Sequence, residues 1–241
     1  MLANLIMEAK HTVIFSGAGM STESGIPDFR SATQGMWRHK DPAKLASTYA
    51  LEHNRDEFVA FYRARIEGLQ TCAPHDGHRI LAEWEQRGLV HSIITQNVDG
   101  FHALAGSRYV AELHGTISRV HCQHCARVYS AVHYLEEEGT VCECGGFLRP
   151  SVVLFGESLP DDAVDMAERE TYAADLFIVL GSSLQVSPAN LFPQVAKRNG
   201  AKFVIVNMEP TELDYLADLV VHERKIGEVL AEANKIICTN E

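Results

Sequence analysis

The chain is predicted to be an α/β protein built on a doubly wound parallel sheet, and three observations carry that prediction. Short, near-continuous runs of apolar and β-branched residues recur at 12–15, 90–95, 175–180, 202–206 and 219–221, the pattern of strands buried on both faces. Stretches with helical spacing separate them. The first run is followed at once by Gly17-Ala18-Gly19, a glycine pair suited to the tight turn and close backbone approach that a pyrophosphate needs. With 241 residues the chain can bury one such core and carry a smaller insertion.

In chain order, residues 1–10 read as a short amphipathic helix. They have no basic opening, and Glu8 interrupts them before an apolar stretch of signal-peptide length, so a cytoplasmic protein is expected. No run approaches the roughly 20 apolar residues needed to cross a bilayer. After the first strand, the G-x-G-x-x-G fingerprint of dinucleotide-binding turns is incomplete, because Thr22 stands at the third glycine position. Pro27-Asp28-Phe29-Arg30 follows instead, bringing a carboxylate, an aromatic face and a guanidinium close to the turn, groups that point to chemistry on the dinucleotide itself. Residues 32–76 are rich in helix formers and break the strand-helix alternation. Within them Tyr62 and Arg65, three apart, share a helix face and can together grip a carboxylate.

A helix at 77–87, stopped by Gly88, leads into the run at 90–95 and then to Thr95-Gln96-Asn97-Val98-Asp99-Gly100. The run at 109–110 leads to Glu112-Leu113-His114-Gly115. Residues 119–150 form a second insertion, and 152–155 read as a further buried strand. Gly181-Ser182-Ser183 ends the run at 175–180. A helix at 188–199, stopped by Gly200, precedes the strand at 202–206, which ends at Asn207 and Glu209. The sheet domain is thus assigned to 1–31, 77–118 and 151–241, with a helical insertion at 32–76 and a metal-binding module at 119–150. Loops at the carboxyl ends of parallel strands converge on one crevice, so the small and polar groups at five strand ends are expected to meet there.

Composition excludes several classes. Apolar residues make up 46% and charged residues 22%, the range of a soluble globular chain. The net charge of −11, from 21 basic and 32 acidic residues with no run of lysine or arginine, disfavours nucleic acid and suits a cationic partner such as a lysine-rich segment. Four of the six cysteines lie between 122 and 144, with Cys72 and Cys238 far away, which favours a metal site over a disulfide framework. Cys122, Cys125, Cys142 and Cys144 can surround one tetrahedral Zn²⁺, and four thiolates leave no open position, so the ion is structural. The second pair has one intervening residue where two are usual. Either its knuckle is tighter, or His121 or His124 takes one position.

The run 17–30, the 95–100 segment, Leu113-His114-Gly115, the cysteine module, Val153-Leu154-Phe155-Gly156-Glu157, Gly181-Ser182-Ser183 and Val206-Asn207 follow in the order seen in sirtuins, the NAD-dependent protein lysine deacylases. The resemblance covers nearly the whole chain and is to a compact bacterial type. It implies a Rossmann-like domain plus a small zinc-ribbon and helical domain, with NAD and an acyl-lysine peptide entering the cleft from opposite sides. It implies catalysis by His114 as general base, with Asn97 and Gln96 orienting the ribose. Cofactor contacts are implied for Gly17, Ala18, Gly19, Ser21, Asp28, Phe29, Arg30, Trp37, Gln96, Asn97, Val98, Asp99, Gly181, Ser182, Ser183, Asn207, Met208, Glu209 and Ile226, with the amides of the 17–19 turn facing the pyrophosphate. Val153, Phe155, Gly156 and Glu157 are implied to pair with the peptide backbone as an added strand. Tyr62 and Arg65 fall where sirtuins that remove succinyl and malonyl groups carry a Tyr and an Arg, so these acyl groups are expected beside acetyl.

Two other classes fit the sequence less well. A nicotinamide oxidoreductase would want a Gly or Ala at position 22 and an acidic residue at the end of the next strand, where this chain has a long helical insertion. A zinc-ribbon adaptor that reads nucleic acid or protein without catalysis would be expected to carry a basic face on its module, whereas Arg119, Arg127 and Arg149 stand against Glu136, Glu137, Glu138 and Glu143. With no heptad pattern, a monomer is expected.

Overall fold

The computed structural model describes residues 1–29, 31, 35–36 and 40–240. Its strands are β1 Thr12–Ser16, β2 Ser92–Thr95, β3 Val110–Glu112, β4 Gly115–Cys122, β5 Val128–Ser130, β6 Leu148–Val152, β7 Leu176–Leu180, β8 Lys202–Val206 and β9 Leu219–Val221. Its α-helices are α1 Leu2–Glu8, α2 Pro42–Leu45, α3 Thr48–His53, α4 Arg55–Leu69, α5 Asp76–Gln86, α6 Phe101–Ala105, α7 Asp161–Ala173, α8 Leu191–Arg198 and α9 Ile226–Thr239.

Six strands form one sheet in the order β3-β2-β1-β7-β8-β9, and every neighbouring pair is parallel. The continuous apolar runs have a direct cause: successive side chains point to opposite faces, and both faces are covered. In β1, Ile14 packs with α1, α5 and α9 on one side, while Val13 and Phe15 pack with α7 and α8 on the other. Strand β7 divides the same way, with Leu176, Ile178 and Leu180 on the first face and Phe177 and Val179 on the second. Fully burying each such side chain contributes about 1.5–3 kcal/mol, enough to override any local preference for alternation. The chain runs from β1 outward through β2 and β3, then returns to β7 on the other side of β1. The strand order therefore reverses between β1 and β7, the switch point where doubly wound sheets open a crevice.

The two insertions join into one module. Helices α2 to α4 and the three-stranded antiparallel sheet β5-β4-β6 share a single core, in which Phe58, Phe61, Tyr62 and Ile66 of α4 meet Val120, Tyr134 and Leu148.

Two elements differ from expectation. The strand read at 152–155 ends at Val152, because the chain there changes partners. The Val153 amide donates to the His114 carbonyl at 2.9 Å, and the Phe155 amide donates to the Ala46 carbonyl at 2.9 Å while its own carbonyl accepts from the Thr48 amide at 3.1 Å. Phe155 is 45% exposed, so the segment is a rim rather than a core strand. The helix read at 188–199 begins at Leu191, since the Asn190 side chain donates to the Leu184 carbonyl at 3.1 Å and holds the preceding residues in a turn. Among the described residues, no helix is long and apolar enough to cross a membrane.

Candidate functional site

At the switch point the ends of β1 and β7 press together. The Gly17 amide donates to the Leu180 carbonyl at 3.0 Å and the Gly19 amide to the Gly181 carbonyl at 2.9 Å. A Cβ on Gly17 would lie 2.7 Å from the Gly181 oxygen, and one on Gly19 would lie 2.8 Å from the Gly181 Cα. These two glycines are therefore required by the neighbouring strand end. The expectation that their amides face a pyrophosphate is corrected, because both are spent on β7 and the turn after it. Beyond Gly17 the chain enters a 3-10 turn, Ala18–Ser24, that carries Ala18 and Ser21 and ends on Gly25.

Onto this turn the loop after β2 is fastened by side chains. Asn97 Nδ2 donates to the Gly17 carbonyl at 2.9 Å and to Ser21 Oγ at 3.2 Å. The Ser21 hydroxyl donates in turn to Asp99 Oδ2 at 2.7 Å, and Asp99 Oδ1 accepts from the Phe101 amide at 2.9 Å. Burial pushes the Asp99 carboxyl above the usual carboxylate range, against the pull of those hydrogen bonds and of the Arg65 charge. Gln96 Nε2 donates to Ser182 Oγ at 2.9 Å, which links the β2 loop to the β7 loop that also carries Ser183. The carbonyl of Val98 accepts from the Ile117 amide at 2.9 Å.

His114, after β3, joins the same network: its Nδ1 lies 2.9 Å from the Gln96 carbonyl oxygen. A carbonyl only accepts, so Nδ1 carries the hydrogen and the lone pair of the neutral ring is on Nε2. Glycine turn and imidazole thus meet through two consecutive residues, Gln96 and Asn97. Sequence reading passed over Ser16 and gave Thr95 no role. The Ser16 hydroxyl donates to Thr95 Oγ1 at 2.8 Å, and that atom accepts the Asn97 amide at 3.0 Å, fixing the start of the loop. Both look like ordinary strand residues in sequence.

From the small module, Arg65 reaches toward this cluster. Its guanidinium stacks near the rings of Phe29, Phe61 and Tyr62 at 5.4, 5.6 and 5.8 Å. No carboxylate of the described residues lies at ion-pair distance from it. Burial lowers its pKa, opposed by Tyr62 and Asp99, and burial pushes the Tyr62 phenol up to about 12. Asp28 accepts the Ser31 amide at 2.7 Å through Oδ1. Arg30 and Trp37 lie outside the described residues.

On the rim, Glu157 is held by Arg149, a residue that sequence reading counted only as charge. Arg149 is 5% exposed, and its Nη1 and Nη2 donate to the two Glu157 oxygens at 2.5 and 3.0 Å. Glu157 Oε2 also accepts the Leu154 amide at 2.8 Å, and Arg149 Nη2 donates to the Val152 carbonyl at 2.6 Å. The segment with Val153, Phe155 and Gly156 is thus shaped from behind. Phe155, its amide and carbonyl already committed, presents a side chain and not a backbone edge to an incoming strand.

At the far end of the crevice Asn207 follows β8. Its Nδ2 donates to the Glu209 carbonyl at 2.7 Å, Met208 is exposed, and Ile226 is buried at the start of α9.

The four cysteines Cys122, Cys125, Cys142 and Cys144 bring their sulfurs within 4.8 Å of one another. Sulfur pairs 122–144 and 125–142 stand 3.5 and 3.6 Å apart, close to the separation of about 3.8 Å set by tetrahedral Zn–S bonds. The donor set therefore fits zinc without a histidine; His121 Nδ1 is instead 3.0 Å from Ser151 Oγ. The short Cys142-x-Cys144 spacing closes because Gly146 sits against the site, where a Cβ would come 2.6 Å from Cys122 Sγ. The Tyr129 hydroxyl lies 3.2 Å from Cys142 Sγ.

Residues 17–188 match the model of the Sir2 family. The NAD-dependent protein deacetylase 1 of Geobacillus kaustophilus (strain HTA426) is 60% identical over 234 residues, spanning 97% of this chain and 96% of that protein. Among solved structures, a mutant Sir2 homologue in complex with ADP-ribose matches with a TM-score of 0.94 at 36% identity, over 99% of this chain and 96% of the other. A Sir2 structure with a p53 peptide and NAD⁺ matches with a TM-score of 0.88 at 35% identity, over 98% and 96% of the two chains.

Proposed function

The chain belongs to the Sir2 family and is an NAD-dependent protein deacetylase, and from that premise we propose that its reaction runs at the Gln96–Asn97 junction on acyl-lysine carried by proteins or peptides. The single observation that carries this placement is the Gln96 carbonyl holding His114 Nδ1 while Asn97 holds the glycine turn. Bound NAD supplies the ribose carbon that takes up the acyl group as nicotinamide leaves. His114 is poised to take a ribose hydroxyl proton at Nε2, the nitrogen that its Nδ1 bond to the Gln96 carbonyl leaves with the lone pair. Asn97 and Gln96 orient the ribose, Asp99 with the Val98 backbone receives the nicotinamide amide, and Ser21, Ser182 and Ser183 offer hydroxyls along the diphosphate. Asp28 and Phe29 close over the site, with Phe29 keeping water from the reacting carbon. Cys122, Cys125, Cys142 and Cys144 would hold one zinc ion, which with four thiolate ligands would supply no chemistry and would tie the module together.

A finer reading concerns the acyl group. A guanidinium among three aromatic rings, without a carboxylate partner among the described residues, supports acceptance of succinyl and malonyl groups beside acetyl. Arg65 would take the distal carboxylate and Tyr62 would add its hydroxyl.

Mass spectrometry of a reaction with acetyl-lysine peptide and NAD tests the activity. Nicotinamide released in proportion to deacetylated peptide is the expected result; reduced cofactor, or no reaction, would refute it.

A further inference from the structure

We infer that His222, braced by Asp214, is a positioning residue for the adenosine end of the cofactor site, holding the Asn207 backbone carbonyl and with it the turn at residues 207–209. The inference rests on the reading of Asn207 as a cofactor contact, placed by the sirtuin resemblance at the adenosine ribose.

His222 Nδ1 lies 2.9 Å from the Asn207 carbonyl oxygen, and its Nε2 lies 2.8 Å from Asp214 Oδ2. Asp214 is itself committed as an acceptor: the Thr211 amide donates to Oδ2 at 3.1 Å and the Thr211 hydroxyl to Oδ1 at 2.7 Å. A carbonyl and a carboxylate both accept, so each ring nitrogen must donate. Only the imidazolium has two N–H groups. The rest of the turn is tied to the same segment, since the Asn207 amide donates to the Val221 carbonyl at 3.1 Å and the Glu223 amide to the Met208 carbonyl at 3.2 Å. Glu223 takes a left-handed backbone, φ 57°, to make that second bond.

The charges acting on the ring are those of Asp214 and Glu223, while Arg224 is taken up by Glu232 at 2.6 Å. Partial burial works against the ring's charge, but the Asn207 carbonyl and Asp214 outweigh it and hold the His222 pKa above the ordinary value. With the folded pKa raised, the clamp is complete below about pH 6.5, the ordinary histidine value, and one of its two bonds is lost as pH rises through the raised one. Cofactor binding should weaken over that interval through His222, whereas the chemical step follows its own groups and does not respond to the clamp.

The test pairs an NMR titration of the His222 ring in the ligand-free protein with steady-state kinetics from about pH 6 to about pH 9, on either side of the histidine range. In wild type, His222 is expected to titrate above free histidine. The KM for NAD should rise about three- to tenfold across that titration, the worth of one hydrogen bond, while the peptide KM and the pH profile of kcat are the same in wild type and His222→Phe. His222→Phe should show the raised KM for NAD at every pH, and Asp214→Asn should move the rise to lower pH. A His222 that titrates at or below the free value overturns the inference. So does a KM for NAD unchanged in His222→Phe when Asn207→Ala raises it. If Asn207→Ala also leaves that KM unchanged, the placement of the adenosine ribose has failed and the inference falls with it, a result distinguishable from failure of the clamp because the NMR titration does not depend on NAD.

Discussion

His114 Nδ1 donates to the carbonyl oxygen of Gln96 at 2.9 Å, and this one bond decides which nitrogen of the ring is basic. It also sets where the ring stands, because the Gln96 amide donates to the Ser16 carbonyl at 3.0 Å and its side chain to Ser182. An imidazole from the end of β3 is thereby referred to the ends of β1 and β7, across the width of the crevice.

Gly17→Ala is expected to destabilise the fold by about 1–3 kcal/mol, the range for forcing extra atoms into a packed site. Its φ of −127° suits any residue, so the cause is contact with the Gly181 oxygen at 2.7 Å and not backbone strain. A thermal melt beside wild type measures it, and an unchanged midpoint would show that the two strand ends are not pressed together.

Arg65→Met is expected to lower kcat/KM for succinyl-lysine peptide more than tenfold, roughly the 1.5–3 kcal/mol of a hydrogen bond to a charged group, while acetyl-lysine turnover changes little. An equal loss on both peptides would mean that Arg65 only packs against Phe29 and Tyr62.

Glu157→Gln keeps the shape of the rim brace and removes its charge. Burial disfavours the Glu157 carboxylate, but hydrogen bonds from Arg149 and the Leu154 amide prevail and hold its pKa below the usual carboxylate range. Its contribution is therefore present above the ordinary value of about pH 4.3 and is lost as pH falls through the lowered one. The KM for peptide should rise several-fold at neutral pH in the variant, with the KM for NAD unchanged. The reverse pattern would place the brace on the cofactor side.

The core strands were legible because burial on both faces leaves an unbroken apolar run, as in β1, β7 and β8. The segment at 152–155 has the same composition but a different fate, since its partners are His114 and Ala46, far away in sequence. The cysteine spacing announced a metal site, yet how Cys142-x-Cys144 closes depends on Gly146 lying against Cys122. At Gly17 and Gly19 a local turn was legible, while their contact with Gly181, more than 160 positions on, was not. Arg149 reads as one more surface charge until its burial is seen, and His222 carries no motif at all.

Removing zinc with a chelator is expected to loosen α4 and the β5-β4-β6 sheet, which share one core, while the six-stranded sheet stays protected. Hydrogen exchange with and without one equivalent of zinc reads this directly. Loss of protection throughout the large sheet would contradict a role confined to the small module.

The most direct measurement is NAD-dependent deacetylation by His114→Tyr, with circular dichroism showing that the variant folds. If Nε2 of His114 is the general base, turnover falls by about 10²-fold or more, the usual contribution of such a group. Turnover equal to wild type in the folded variant would contradict it.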